Sequence, residues 1–152
     1  MLNPDFREFA ELLASNQVEY LIVGGYALAA HGHPRYTGDL DFWLGADPVN
    51  AERALVALSE FGFGGLGISL DDLTRAGQVI QLGFPPRRID LLTSIDGVEF
   101  APCFARRMVV TIDALPMNFI ALEDLKTNKR AAGRLQDLAD LQALDGLPPG
   151  GD

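Results

Sequence analysis

The chain has 152 residues, 48% hydrophobic and 22% charged, which matches one ordinary globular domain with a real core and excludes disorder over the whole length. A formal net charge of −9 excludes an extended phosphate-tracking surface, which needs clustered lysine and arginine. A single cysteine, Cys103, excludes an intrachain disulfide and a cysteine-rich zinc site, and no apolar run reaches the ~18 residues of a membrane span.

The opening residues, Met1-Leu-Asn-Pro-Asp5, lack the basic start and apolar block of a signal peptide, so a cytoplasmic protein is expected. Asn3 to Gln17 predicts a helix, with Asn3 as cap, Pro4 in the first turn and Phe6, Phe9, Leu12 and Leu13 at helical spacing. Val18 to Val23 is a short apolar run that meets Gly24-Gly25, a buried strand ending in a tight turn. Tyr26 to Ala30 reads as helix, 31–38 as loop and Asp39 to Leu44 as a strand of alternating acid and apolar residues. Pro48 to Phe61 predicts a second long helix, followed by a loose glycine-rich stretch to Gly67. Ser69-Leu-Asp-Asp72 resembles a capping box and opens a short helix. Gln78 to Phe84 and Arg88 to Thr93 read as strands joined at Pro85-Pro86. A further strand pair is expected at Arg107–Ile112 and Met117–Ile120, then helices over Leu122–Ala132 and Leu135–Leu144 with a break at Gly133. Mixed helices and strands of this kind predict an α+β (mixed α/β) domain.

The charge is uneven. The first 50 residues hold 2 basic and 7 acidic groups, whereas the only lysines, Lys126 and Lys129, sit late in a basic knot with Arg130 and Arg134. Asp39 and Asp41 are two apart on a strand, so both side chains leave the same face while Leu40, Phe42 and Leu44 leave the other. Two adjacent carboxylates repel unless something positive neutralises them, and oxygen ligands of this kind suit magnesium, usually held by one or two carboxylates plus substrate phosphates. At Gly24-Gly25 the missing side chains let backbone N–H groups approach a phosphate at a helix start.

The order Gly24-Gly25, then Arg35-x-Thr37-x-Asp39-Leu-Asp41, resembles the signature of the nucleotidyltransferase superfamily, the polymerase-beta-like fold, in its abortive-infection and toxin-type form. The family pattern has a third carboxylate on a neighbouring strand, matched here by Asp90 in Arg88-Ile-Asp90. The tail from Leu125-Lys126 through Lys129, Arg134, Asp137 and Asp140 is similar to that group's C-terminal helical motif. The resemblance implies one nucleotidyltransferase-like domain over residues 1–152: a small mixed sheet packed by helices (core about 18–120), closed by two C-terminal helices over about 121–145. It implies transfer of a nucleoside monophosphate from a nucleoside triphosphate (NTP) to a hydroxyl on the 3′ end of tRNA or on a protein. One or two Mg2+ ions would sit on Asp39, Asp41 and Asp90, which would be the catalytic residues. Nucleotide binding would fall to Gly24, Gly25, Arg35, Thr37, Lys126, Lys129 and Arg134. A toxin role with a cognate antitoxin is implied, and a homo-oligomer is compatible with it.

Two alternatives stay open: a non-catalytic interaction partner that keeps the fold, and an antibiotic-type enzyme acting on a small molecule. Lys126, Arg130 and Arg134 are four apart and line one face only if the helix runs through Gly133. His31-x-His33 has no third nitrogen or thiol ligand nearby, so a loop role is expected. Trp43 shares a strand face with Asp39 and Asp41; it either stacks on a base or packs at the sheet edge. The glycine run 62–67 follows a helix rather than a strand, which is the wrong context for a phosphate loop. Arg87 and Arg88 flank Asp90 closely, as ligands of the cluster or as solvating charges.

Overall fold

Side-chain caps set the helix starts. Asn3 Oδ1 accepts from the backbone N–H groups of Asp5 (2.8 Å) and Phe6 (3.4 Å), with proline next in the chain, and α1 runs Pro4–Ser15. Asp47 caps α3 (Pro48–Glu60) in the same way through Asn50 N–H, and the Ser69/Asp72 box opens α4 (Leu70–Thr74). The computed structural model describes residues 2–34, 38–84 and 87–146. Arg35, Thr37 and the Pro85-Pro86 junction lie outside the described residues.

Among the described residues six strands form one sheet: β1 (Tyr20–Val23), β2 (Leu40–Leu44), β3 (Val79–Leu82), β4 (Ile89–Leu92), β5 (Met108–Ile112) and β6 (Leu115–Phe119). Their order is β3-β4-β2-β1-β6-β5. The β2–β4 and β1–β6 pairs are parallel and the others antiparallel, so the sheet is mixed, as the sequence reading expected. The remaining helices are α2 (Gly24–Ala30), α5 (Phe100–Ala105), α6 (Leu122–Ala132) and α7 (Leu135–Asp145). No helix among the described residues is long and apolar enough to cross a membrane.

Successive strand residues face opposite ways, and the middle of β2 uses both sides. The Phe42 ring meets Phe9 of α1 edge-on at 5.3 Å, and the Trp43 ring meets Phe100 of α5 edge-on at 5.2 Å. Helices α1 and α5 therefore cover opposite faces, and Leu21, Ile22, Leu40, Phe42 and Leu91 are fully buried between the layers.

Two elements escaped the sequence reading. Helix α5 is six residues long, contains Pro102 and has no side-chain cap, so no local signal marks it; burial of Cys103 and the contact of Phe100 with Trp43 hold it. The glycine-rich stretch contains a short 3-10 turn, Gly64–Leu66. The β5–β6 turn uses Asp113 and Ala114 at φ of 51° and 67°, the left-handed pair that matches the twist of a tight hairpin. Asp113 also accepts from Leu2 N–H at 3.0 Å, which ties the chain start to this edge hairpin.

Asn50, at the start of α3, is 3% exposed. Its Oδ1 accepts from Glu19 N–H (2.7 Å), and its Nδ2 donates to Glu19 O (3.0 Å) and Gly45 O (2.8 Å). One side chain thus joins the entry to β1, the exit from β2 and the start of α3. Asn50→Ala leaves these backbone groups unpaired and is expected to cost about 2 kcal/mol or more, lowering Tm by about 4–8 °C. Urea unfolding followed by circular dichroism checks it; a loss below about 0.5 kcal/mol would show that water replaces the amide at no cost.

Candidate active site

The site begins where β1 ends. Val23 pairs with Asp41 across the antiparallel β1–β2 ladder, so the next residue, Gly24, passes directly over the Asp41 side chain. Gly24 has a φ of +71°, and a Cβ there would stand 2.2 Å from Asp41 Oδ2. Both facts require glycine: the backbone conformation disfavours a side chain, and the carboxylate occupies its space. Gly25 follows inside α2 and is buried.

On the other side of β2, the parallel ladder pairs Asp41 with Asp90 of β4. Asp39 precedes β2. Arg88, two residues before Asp90, lies among the acids. Its Nε donates to Asp90 Oδ1 (2.7 Å), and its Nη2 donates to Asp90 Oδ2 and Asp39 Oδ2 (3.1 Å each). Its backbone N–H adds a bond to Asp39 Oδ1 at 3.3 Å. Arg88 thus belongs to the cluster rather than merely solvating a strand end. Burial, then the negative charges of Asp90 and Asp39, push the Asp41 carboxyl up to about 7.

A cleft of about 320 Å³ opens from this corner. Gly24 and Asp41 line one wall; Lys129, Arg134 and Asp137 line the other, with Ser94, Asp96 and Asn128 between them. Asp96, at a turn after an apolar residue, is a weaker third-carboxylate candidate in sequence than Asp90; Ser94 and Asn128 carry no distinguishing pattern there. Gly133, left-handed at φ 66°, ends α6 and lets α7 fold back beside it. The single basic face through Gly133 therefore does not form. Lys129 is 7% exposed, its ammonium 3.0 Å from Asp140 and 3.4 Å from Asp137. Arg134 Nε reaches Asp137 at 2.6 Å and, with Lys129, holds that carboxyl below the usual range. Lys126 is not a lining residue of the cleft and pairs with Asp145 (3.2 Å) and Glu123 (3.5 Å).

Other conspicuous residues have structural roles. His31 is buried, with Nε2 2.7 Å from Ile120 O. Trp43 packs on Phe100 and is 1% exposed, which leaves it no face for a base. Cys103 is buried, and burial and the nearby Asp124 raise its thiol to about 11, so it is protonated at neutral pH. Among the described residues no three His, Cys, Asp or Glu side chains form a ready cage for a metal ion. The donor chemistry of Asp41 and Asp90 nevertheless fits a hard divalent cation that takes two carboxylates and completes its shell with phosphate oxygens.

No protein-family model and no curated protein sequence matches the chain. Among solved structures, a protein from Thermotoga maritima assigned to the nucleotidyltransferases aligns over 94% of both chains, with a TM-score of 0.64 and 16% identity. A lincosamide antibiotic adenylyltransferase, LnuA, solved with lincomycin bound, aligns over 97% of this chain and 99% of its own, with a TM-score of 0.56 and 11% identity. The chain has the nucleotidyltransferase fold.

Two outcomes follow from this geometry. Gly24→Ala meets both the strained backbone and the Asp41 oxygen, so it is expected to cost more than the roughly 1–2 kcal/mol of a left-handed residue alone. Asp41→Ala in the same chain should return the clash component, seen as a negative coupling in a double-mutant cycle of urea unfolding. Additive losses would place Asp41 away from Gly24. The second outcome concerns pH. Between about 4 and 7 the folded chain keeps a proton on Asp41 that the unfolded chain releases, so stability falls as pH rises through this window. Asp41→Asn lacks that loss. In melts at pH 4 and pH 8 the variant should match wild type at pH 4 and exceed it by several degrees at pH 8; an equal Tm at pH 8 refutes the shift.

Proposed function

We propose that this protein transfers a nucleoside monophosphate from a nucleoside triphosphate to a hydroxyl acceptor, with magnesium as its cofactor. The observation that carries this reading is the register of Asp41 and Asp90 on adjacent parallel strands, beneath a glycine whose missing side chain makes room for one of them. The nucleotidyltransferase fold supports it. Asp41 and Asp90, with Asp39 beside them, would hold magnesium, which when bound neutralises triphosphate charge and orients the leaving group. Gly24 keeps that end of the cleft clear of side chains. Lys129 offers an ammonium at the opposite wall, fixed by Asp137 and Asp140. We assign to Asp90 the proton of the attacking hydroxyl. Gly25 belongs to the phosphate-binding turn by position, and Arg35 and Thr37 by the sequence signature. Lys126 and Arg134 contribute charge around the cleft.

The charge pattern favours a small acceptor. Lys126, Lys129 and Arg134 all engage carboxylates, and the chain carries a net charge of −9, whereas a long RNA footprint needs a cation at each phosphate. A structural neighbour that aligns along nearly its whole length is an antibiotic adenylyltransferase solved with lincomycin. The acceptor we infer is therefore a small hydroxyl compound. A second reading rests on the Arg35-x-Thr37-x-Asp39-Leu-Asp41 signature: a toxin-type enzyme that modifies the 3′ end of tRNA or a protein hydroxyl and is held in check by a cognate antitoxin.

The test is to incubate the chain with magnesium, each labelled NTP in turn, and separate pools of hydroxylated antibiotics, total tRNA and total protein. Label on the antibiotic pool, lost at least a hundredfold in Asp41→Asn, is the expected result. Label on tRNA or protein alone moves the chain to the toxin reading. No label in any pool, with no nucleotide bound in calorimetry, refutes the enzymatic reading and favours a non-catalytic partner.

A further inference from the structure

In the acidic corner, among the described residues, Asp39, Asp41 and Asp90 surround one guanidinium, Arg88. Carboxylates gathered in this way attract a divalent cation. Yet the oxygens such a cation needs are already in use: Arg88 takes both oxygens of Asp90 and one of Asp39 in a planar fork, and its backbone N–H takes the other.

We propose that Arg88 is an exchangeable counter-ion that makes the site select a metal–nucleotide complex over either component alone. The inference rests on the nucleotidyltransferase reading above. A free divalent cation must displace the guanidinium from Asp39 and Asp90 and leaves it in a half-buried corner with no anion to receive it. A nucleotide without metal meets an acidic wall. When metal and triphosphate arrive together, the cation takes the carboxylates and the phosphates receive the guanidinium, whose fork suits phosphate as well as carboxylate. Every charge then has a partner. Arg88 is thereby a nucleotide ligand in the loaded site and a competitor of the metal in the empty one. Metal and nucleotide binding become strongly cooperative, and by linkage each raises the affinity of the other by the same factor.

One consequence holds even with Arg88 fixed in place. Removing a positive charge beside three carboxylates raises the attraction of that corner for any cation. Removing a guanidinium from a triphosphate site lowers the attraction for the anion. The two affinities of an Arg88 variant must therefore change in opposite directions, which a purely structural arginine would not produce.

The experiment is calorimetry and electron paramagnetic resonance with Mn2+ as the metal probe and α,β-methylene nucleoside triphosphates as non-transferable nucleotide probes. Wild type, Arg88→Met and Arg88→Lys are compared. In wild type the analogue should tighten Mn2+ at least thirtyfold. In Arg88→Met free Mn2+ should bind at least tenfold tighter, the Mn–analogue complex at least tenfold weaker, and the cooperativity should collapse. Arg88→Lys keeps the charge without the fork and should fall between; it also serves where three acids without a cation impair folding. If wild type binds the Mn–analogue complex and neither variant changes the cooperativity, Arg88 is a fixed structural partner and the proposal is overturned alone. If wild type binds no analogue with Mn2+, the enzymatic reading falls and this proposal with it.

Discussion

Asp41 and Asp90 stand opposite each other on adjacent parallel strands, and much of the surrounding structure answers the repulsion this creates. Two unit charges about 4 Å apart in a partly buried corner repel by about 4 kcal/mol at an effective dielectric near 20. Three devices limit the cost. Asp41 keeps a proton to near neutrality, Arg88 forks across Asp90 and Asp39, and Gly24 gives Asp41 room to sit on the chain's turn. Parallel neighbours such as β2 and β4 need a crossover between them; here α3 and α4 make it and the chain re-enters the sheet at its edge through β3, antiparallel to β4.

The other ionic cluster differs in kind. Lys129 of α6 is buried between Asp137 and Asp140 of α7, and Arg134 pairs with the same Asp137. Lys129, Asp137 and Asp140 are buried, whereas the Arg134 side chain is exposed. A buried network of this type adds little net stability, because desolvation offsets most of the attraction, but breaking it leaves an uncompensated buried charge. It fixes how α7 folds back on α6 after the left-handed Gly133, and so fixes one wall of the cleft.

The elements were largely legible where a local signal existed. Caps at Asn3, Asp47 and Ser69, the apolar run before Gly24 and the alternation in Leu40–Leu44 each mark what formed. Helix α5 was not legible, since Phe100-Ala-Pro-Cys-Phe-Ala105 has no cap and is held by tertiary contacts. The carboxylates of the candidate site could be chosen by spacing, because strand period places Asp39 and Asp41 on one face. Their partners could not. Nothing local says that Arg88 turns back onto Asp39, 49 residues away in sequence, or that Lys129 closes on α7 while Lys126 reaches Asp145. Spacing of four gave Lys126, Arg130 and Arg134 a common face, but one residue with positive φ, Gly133, separates them. Choosing between Gly24 and Gly25 needed the antiparallel register of Val23 with Asp41, which is a long-range fact.

Asp41 of the strand cluster and Lys129, Arg134 and Asp137 of the α6–α7 cluster line the same cleft. On the α6–α7 wall Lys129 and Arg134 are engaged by carboxylates, Lys129 by Asp137 and Asp140 and Arg134 by Asp137. The strand wall, reached by Asp41, belongs to a cluster in which, among the described residues, Asp39, Asp41 and Asp90 surround Arg88. A polyanion alone is repelled by the strand wall and finds only engaged cations on the other. A cation alone is attracted to the strand wall but must contend with Arg88 for the carboxylate oxygens. On the nucleotidyltransferase reading proposed above, a divalent cation bound to a chain of phosphates would satisfy both walls at once, and a metal–nucleoside triphosphate carries that composite charge distribution. Holding Asp41 beside Asp90 costs the folded chain stability at neutral pH, and on the reading proposed above a bound metal–nucleotide would offset that cost.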